Sequence, residues 1–237
     1  MSLKKILKLK IKIISIILIY FFINNKNVYA IEQFTAHGGP VKGLAVSADN
    51  KLMASASFDY SVVIWSLNPI KEKITLIGHD AAVNTVKFNP GNDYLVSGGD
   101  DNNVLLWSLK NINNLDQEIE PIKIGNHRGK ISGLDFSKDG KFLLTASWDG
   151  TIGVWDISKR KKIMTLRGHK GPVYSVKYSY DNKYIYSSGA DGEIKLWKAE
   201  DGAYLRPLIK NGWEISKFEI DEKRNFIAYG ATDGQIH

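Results

Sequence analysis

Four times in this 237-residue chain a histidine, a hydroxyl and an aspartate recur in one order and at one spacing. The sets are His37, Ser55 and Asp59; His79, Ser97 and Asp101; His127, Thr145 and Asp149; and His169, Ser187 and Asp191. In each, the aspartate lies 22 residues after the histidine and 4 after the hydroxyl. These are the parts of a hydrolase triad: a nucleophile, an imidazole base and a carboxylate that orients the base. The repetition argues against that chemistry, because a folding motif recurs with the element it holds together and an active site need not. Six residues past each aspartate stands a tryptophan (Trp65, Trp107, Trp155, Trp197) that closes a short apolar run. Catalysis by these sets is therefore not expected. The five histidines are the four above and the terminal His237, which leaves none for a metal cluster. The chain has no cysteine, so it can form no disulfide, thiolate metal site, attached haem or lipidated cysteine. No metal, cofactor or small-molecule substrate is expected.

The sets mark a repeat. The steps between histidines are 42, 48 and 42 residues, and the six extra residues fall in a polar insertion at Lys110–Gly125. A fifth unit begins in phase at Asn211, with Tyr229 at the hydroxyl position and Asp233 at the turn; the chain ends at His237, before the tryptophan position. Within each unit, apolar residues stand four, seven and nine places past the histidine, as in Val83, Val86 and Phe88 or Ile131, Leu134 and Phe136. The last two alternate as a strand does, and the three-residue step predicts a bulge near its start. Turn residues follow, as in Ser47-Ala48-Asp49-Asn50 and Ser137-Lys138-Asp139-Gly140. Next come a second strand such as Phe142–Ser147, the aspartate turn, a third strand ending in tryptophan and a more polar fourth strand.

The formal charge of +7 belongs to the N-terminus. Residues 1–30 hold Lys4, Lys5, Lys8, Lys10, Lys12 and Lys26 and no acid; without them 26 basic residues face 25 acidic ones. A near-neutral body gives phosphate no long-range attraction, so nucleic acid is not an expected partner. The basic stretch, the apolar run Ile13–Ile23 and the close Val28-Tyr29-Ala30 read as a signal peptide cleaved after Ala30. Eleven apolar residues fall short of the ~20 that a spanning helix needs. Residues 1–30 are thus assigned as signal peptide and 31–237 as the folded domain, periplasmic or secreted, meeting a membrane only through the leader during export. The alternative is an uncleaved leader that anchors the protein to the membrane.

The spacings resemble the WD-repeat family, whose units carry a Gly-His corner and a Trp-Asp end. Only Trp155-Asp156 keeps that final aspartate; Ser66, Ser108 and Lys198 replace it elsewhere. The resemblance implies an all-β WD-repeat β-propeller with four complete four-stranded blades and a partial fifth, a fragment of a seven-bladed ring lacking about two blades. Residues 31–36 would be an outer strand that completes the last blade. It further implies that each aspartate accepts a hydrogen bond from its histidine, that the histidine meets the hydroxyl, and that the hydroxyl meets the indole N–H. The family's binding face is built from residues three and five past the corner and from the residue before the turn aspartate. Among these are Lys42, Phe58, Asn84, Asp100, Lys130, Ser132, Trp148 and Tyr174. Phe58, Trp148 and Tyr174 are large aromatics of the kind that dominate interfaces. The function implied is a non-catalytic scaffold for a protein partner. The run of motifs from His37-Gly38-Gly39-Pro40 to Gly230-Ala231-Thr232-Asp233-Gly234 also resembles exported bacterial WD-repeat proteins, some of which are fused to a c-type cytochrome domain. On that alternative the chain is the propeller of an electron-transfer protein whose haem domain lies beyond residue 237. An enzyme holding a cofactor in the central channel is the rival class, and it would need matched ligands that are absent here.

Overall fold

Each unit spells four apolar-rich runs separated by turn residues, and a computed structural model, describing residues 35–110, 112–113 and 118–237, forms a strand from each. The first unit contains β1 (Val41–Val46), β2 (Leu52–Ser57), β3 (Ser61–Leu67) and β4 (Ile70–Ile77). The second contains β5 (Val83–Phe88), β6 (Tyr94–Gly99), β7 (Asn103–Ser108) and β8 (Ile122–Asn126). The third contains β9 (Ile131–Phe136), β10 (Phe142–Ser147), β11 (Thr151–Asp156) and β12 (Lys161–Arg167). The fourth contains β13 (Val173–Tyr178), β14 (Tyr184–Gly189), β15 (Glu193–Lys198) and β16 (Tyr204–Lys210). The fifth pairs β17 (Ile215–Asp221) with β18 (Phe226–Ala231), and a single bridge joins Gly230 to Ile236. Each of the first four units is one antiparallel meander in chain order. The described residues contain no helix. Ala36–His237 form one compact unit.

The leader expected over residues 1–30 lies outside the described residues, as do residues 31–34 of the expected outer strand; Thr35 and Ala36 are not in a strand.

The predicted bulge is present in the first strand of every unit, between Val41 and Gly43, Val83 and Thr85, Val173 and Ser175, and Ile215 and Lys217; in the third unit Ile131 and Gly133 face the consecutive pair Ser147 and Ala146. The first turns need a left-handed residue, and Asn50, Asn92, Gly140, Asn182 and Asn225 supply it with φ between 52° and 70°.

Both faces of the second, third and fourth blades are apolar because each of these lies between two others. β1 packs on β5, β5 on β9, β9 on β13 and β13 on β17. The core is accordingly a series of interfaces between neighbours. Val62 and Ile64 of the first unit meet Val86, Phe88 and Trp107 of the second. Val96 and Leu106 meet Leu134, Phe136 and Trp155. Leu144 and Val154 meet Val173, Val176 and Trp197. Middle strands are therefore mostly buried, and all six residues of β11 are. In β1 the equivalent apolar residues Val41, Leu44 and Val46 are exposed, because no other described strand covers that side of the first unit.

Candidate functional site

The four polar sets assemble in the same way. His37 Nδ1 lies 2.9 Å from Asp59 Oδ2 and Nε2 lies 2.7 Å from Ser55 Oγ, which accepts from Trp65 Nε1 at 2.9 Å. The matching distances for His79, Asp101, Ser97 and Trp107 are 2.8, 2.7 and 2.8 Å. For His127, Asp149, Thr145 and Trp155 they are 3.0, 2.6 and 2.8 Å. For His169, Asp191, Ser187 and Trp197 they are 2.9, 2.7 and 2.8 Å. One tautomer satisfies every atom: Nδ1–H donates to the carboxylate, and the hydroxyl donates to Nε2 while accepting from the indole. These are triad distances, but the hydroxyls are buried and both their donor and acceptor capacities are used. No reacting atom could approach them. Sequence reasoning missed a second hydroxyl two residues past the turn aspartate. Ser61 and Thr151 donate to Asp59 and Asp149 at 2.7 and 2.6 Å.

Electrostatics follow from this geometry. Burial works to raise the pKa of Asp149, but hydrogen bonds from Thr151, the Arg128 N–H and His127 hold it down at about 2. Asp59, Asp101 and Asp191 are lowered against burial for the same reasons. Burial, helped by the charge of Lys162 and opposed by Asp149, lowers His127 and favours the neutral imidazole that the network requires. Lys195 is buried beside the fourth set, 3.2 Å from Asp191 and paired with Glu193.

In the fifth unit, among the described residues, the Asn211 side chain does not meet the turn aspartate and its Nδ2 is buried without a hydrogen-bond partner. His237 takes that place instead, 2.7 Å from Asp233 Oδ2 and stacked on Tyr229.

A separate cleft of about 490 Å³ collects Lys42, Phe58, Asn84, Asp100, Lys130, Ser132, Trp148 and Tyr174 from four units. The meander places these side chains together because each comes from the start of an innermost strand or from the turn between the second and third strands. Asn84 Nδ2 donates to Asp100 Oδ1 at 2.7 Å, and Lys130 Nζ to Asp100 Oδ2 at 2.8 Å. The Lys130 ammonium also lies 5.1 Å from the Trp148 ring centre, and Trp148 meets Tyr174 edge to face at 5.9 Å. Tyr174 donates to Glu214 at 2.8 Å; burial first, then Glu214, pushes its pKa up to about 12. Ser132 Oγ donates to the Val173 carbonyl at 2.7 Å, and Lys42 lies over Phe58 at 5.4 Å. Trp148 and Phe58 remain 47% and 42% exposed, held by neighbours yet open to solvent. The fifth unit adds Glu214, Ser216, Lys217 and Thr232, which sequence reasoning missed. The signal was present: Glu214 and Ser216 stand three and five past Asn211, and Thr232 precedes Asp233. A larger cleft, about 700 Å³, opens between the third and fourth units among Phe142, Met164, Tyr184 and Leu205 and contains none of these residues.

Residues 29–66, 70–108, 120–156 and 160–198 each match a family profile described as WD domain, G-beta repeat. Protein HIRA of Dictyostelium discoideum is 29% identical over 146 residues, covering 54% of this chain and 13% of the relative. Serine-threonine kinase receptor-associated protein of Gallus gallus is 30% identical over 136 residues, covering 57% of this chain and 37% of the relative. The p21-activated protein kinase-interacting protein 1-like of Danio rerio is 29% identical over 125 residues, covering 52% and 32%. The chain thus spans about an eighth to just over a third of the length of these relatives.

Proposed function

The chain belongs to the WD domain, G-beta repeat family, and from that premise we propose that it is a non-catalytic platform that binds a protein partner across the cleft around Trp148. One observation carries this reading. Side chains from five units converge on one concave surface, with aromatic anchors held in place and left accessible. The polar sets support it from the other side, since their hydroxyls are consumed in structural hydrogen bonds. That one relative is named as receptor-associated and another as kinase-interacting is in keeping with a binding role.

Trp148→Ala tests the site. Trp148 is half exposed, so the variant should keep the parent melting temperature within a few degrees. It should lose affinity for a captured partner by about 2 kcal/mol, near thirtyfold. Unchanged capture by the variant would move the binding surface elsewhere.

We also propose export, with residues 1–30 as a cleaved leader and 31–237 as the mature domain; the support is the order of lysines, apolar run and Val28-Tyr29-Ala30. N-terminal sequencing of the fractionated protein should begin at Ile31, and a mature protein that retains Met1 would overturn cleavage. The platform reading is preferred to the cytochrome-linked alternative because its binding surface lies within the described residues.

A further inference from the structure

The repeat supplies its own control, because four equivalent side chains surround the corner of each unit. They are the residue after the corner histidine, the residue two past the turn aspartate, the outer-strand residue paired with tryptophan and the residue that closes the outer strand. In the first unit these are Gly38, Ser61, Glu72 and Ile77, which carry one negative charge. In the fourth they are Lys170, Glu193, Tyr204 and Lys210, and Glu193 forms ion pairs with both Lys195 and Lys210, the first of which also pairs with Asp191. In the third they are Arg128, Thr151, Lys162 and Arg167.

Three cations therefore line one cleft of about 310 Å³, and among the described residues none of the three forms an ion pair. The carboxylate that faces them, Asp149, is already occupied. Its Oδ2 accepts from His127 Nδ1 and the Arg128 N–H at 3.0 and 2.9 Å, and its Oδ1 accepts from Thr151 N and Oγ1 at 2.9 and 2.6 Å. Lys162 is held in place: its Nζ donates to the Asn126 carbonyl at 3.0 Å and lies 4.6 Å from the Trp155 ring centre. Burial lowers its pKa and the charge of Arg167 adds to this, while Asp149 opposes them. The ammonium is thus positioned and partly desolvated, with hydrogens to spare and no ion pair of its own among the described residues, Asp149 acting on it only from a distance. A structural role would not need this arrangement, since the first and fourth units close the same corner without it.

We propose that this cleft binds a phosphate-class oxyanion, a doubly charged tetrahedral group either free or carried as a monoester. Two guanidinium groups offer forked donors to such an ion, and the fixed lysine adds a point charge. The Thr165 hydroxyl lines the same cleft. The site is separate from the Trp148 cleft, so it stands whether or not that surface binds protein.

The test titrates the purified full chain with inorganic phosphate, and separately with O-phosphoserine, at constant ionic strength, following backbone amides by NMR. Saturable shifts should centre on Arg128 and Thr151. Saturation by phosphate alone would identify the free ion, and displacement of phosphate by O-phosphoserine would identify a monoester; either supports the site. Lys162→Gln and Arg167→Gln should each weaken binding on the order of tenfold, the loss expected for one charge-assisted hydrogen bond. Arg167 is exposed at a strand end, so its variant keeps the test valid should Lys162→Gln fail to fold. Lys170→Gln, at the equivalent corner of the fourth unit, should bind as the parent does. Absence of saturation at tens of millimolar phosphate, or equal weakening by Lys170→Gln, would overturn the proposal.

Discussion

Replacing Asp149 by alanine removes a carboxylate that accepts hydrogen bonds from His127, the Arg128 N–H, and the Thr151 N–H and hydroxyl. The Arg128 N–H lies at an exposed position and can turn to water. The imidazole cannot, because His127 is only 3% exposed. Its Nδ1–H can still reach Thr151 Oγ1, now 3.3 Å away, which recovers part of the loss. One buried donor left poorly paired and several charge-assisted bonds lost should cost about 2–3 kcal/mol. Asp191→Ala should cost at least as much, since it also leaves the buried Lys195 ammonium with Glu193 alone. Asp139→Ala is the control. Its carboxylate, at a first-turn position, accepts from Ser137 Oγ and Lys141 N but is 45% exposed, so the loss should stay below about 1 kcal/mol. Urea unfolding followed by near-ultraviolet circular dichroism reads the difference, with an unchanged slope and a midpoint lowered by about 1 M for Asp149→Ala. Hydrogen exchange at the Thr151 amide would localise the loosening to that turn. A loss under about 0.5 kcal/mol, or one equal to that of Asp139→Ala, would refute the claim that the buried polar chain holds the turn.

Gly125→Ala should destabilise by about 3 kcal/mol, because a Cβ there would stand 2.3 Å from the Trp155 ring; Gly38→Ala, with its nearest neighbour at 4.0 Å, should be close to neutral in the same thermal melt. Tyr60 holds φ at 73° where the third and fourth units use Gly150 and Gly192, so Tyr60→Gly should stabilise by about 0.5 kcal/mol, and a loss of 1 kcal/mol would count against backbone strain at that turn. The Asp149 carboxyl is held at about 2 against an ordinary 3.8, so its contribution is present above pH 4 and is lost as pH falls towards 2, about 2 kcal/mol in all. His127 is lowered from 6.5, so the unfolded chain takes up that proton first and stability also declines as pH drops below 6.5. Unfolding free energies that stay level from pH 7 to 3 would contradict both.

The spacing of His, Ser or Thr, Asp and Trp was legible because it is a backbone rule. A meander of fixed strand and turn lengths returns the same four side chains to one corner, whatever the rest of the unit contains. The bulged first strands and left-handed turns are equally local, set by apolar steps of three and two and by Asn or Gly at the turn. The cleft around Trp148 followed from offsets within each unit, and the same offsets applied to Asn211 and Asp233 lead to Glu214, Ser216 and Thr232. What depends on packing between units was not legible. Asn92 reaches from its own turn to cap Ala48 N at 2.9 Å, and Asn182 does the same for Lys138. His237 substitutes for Asn211 at Asp233, which the repeat pattern has no means of stating. Arg128 and Arg167 are 39 residues apart, and only the pairing of β11 with β12 brings them to one cleft with Lys162. Periodicity determines which residues share a face, whereas charge balance and the distance between faces are settled only when neighbouring sheets pack.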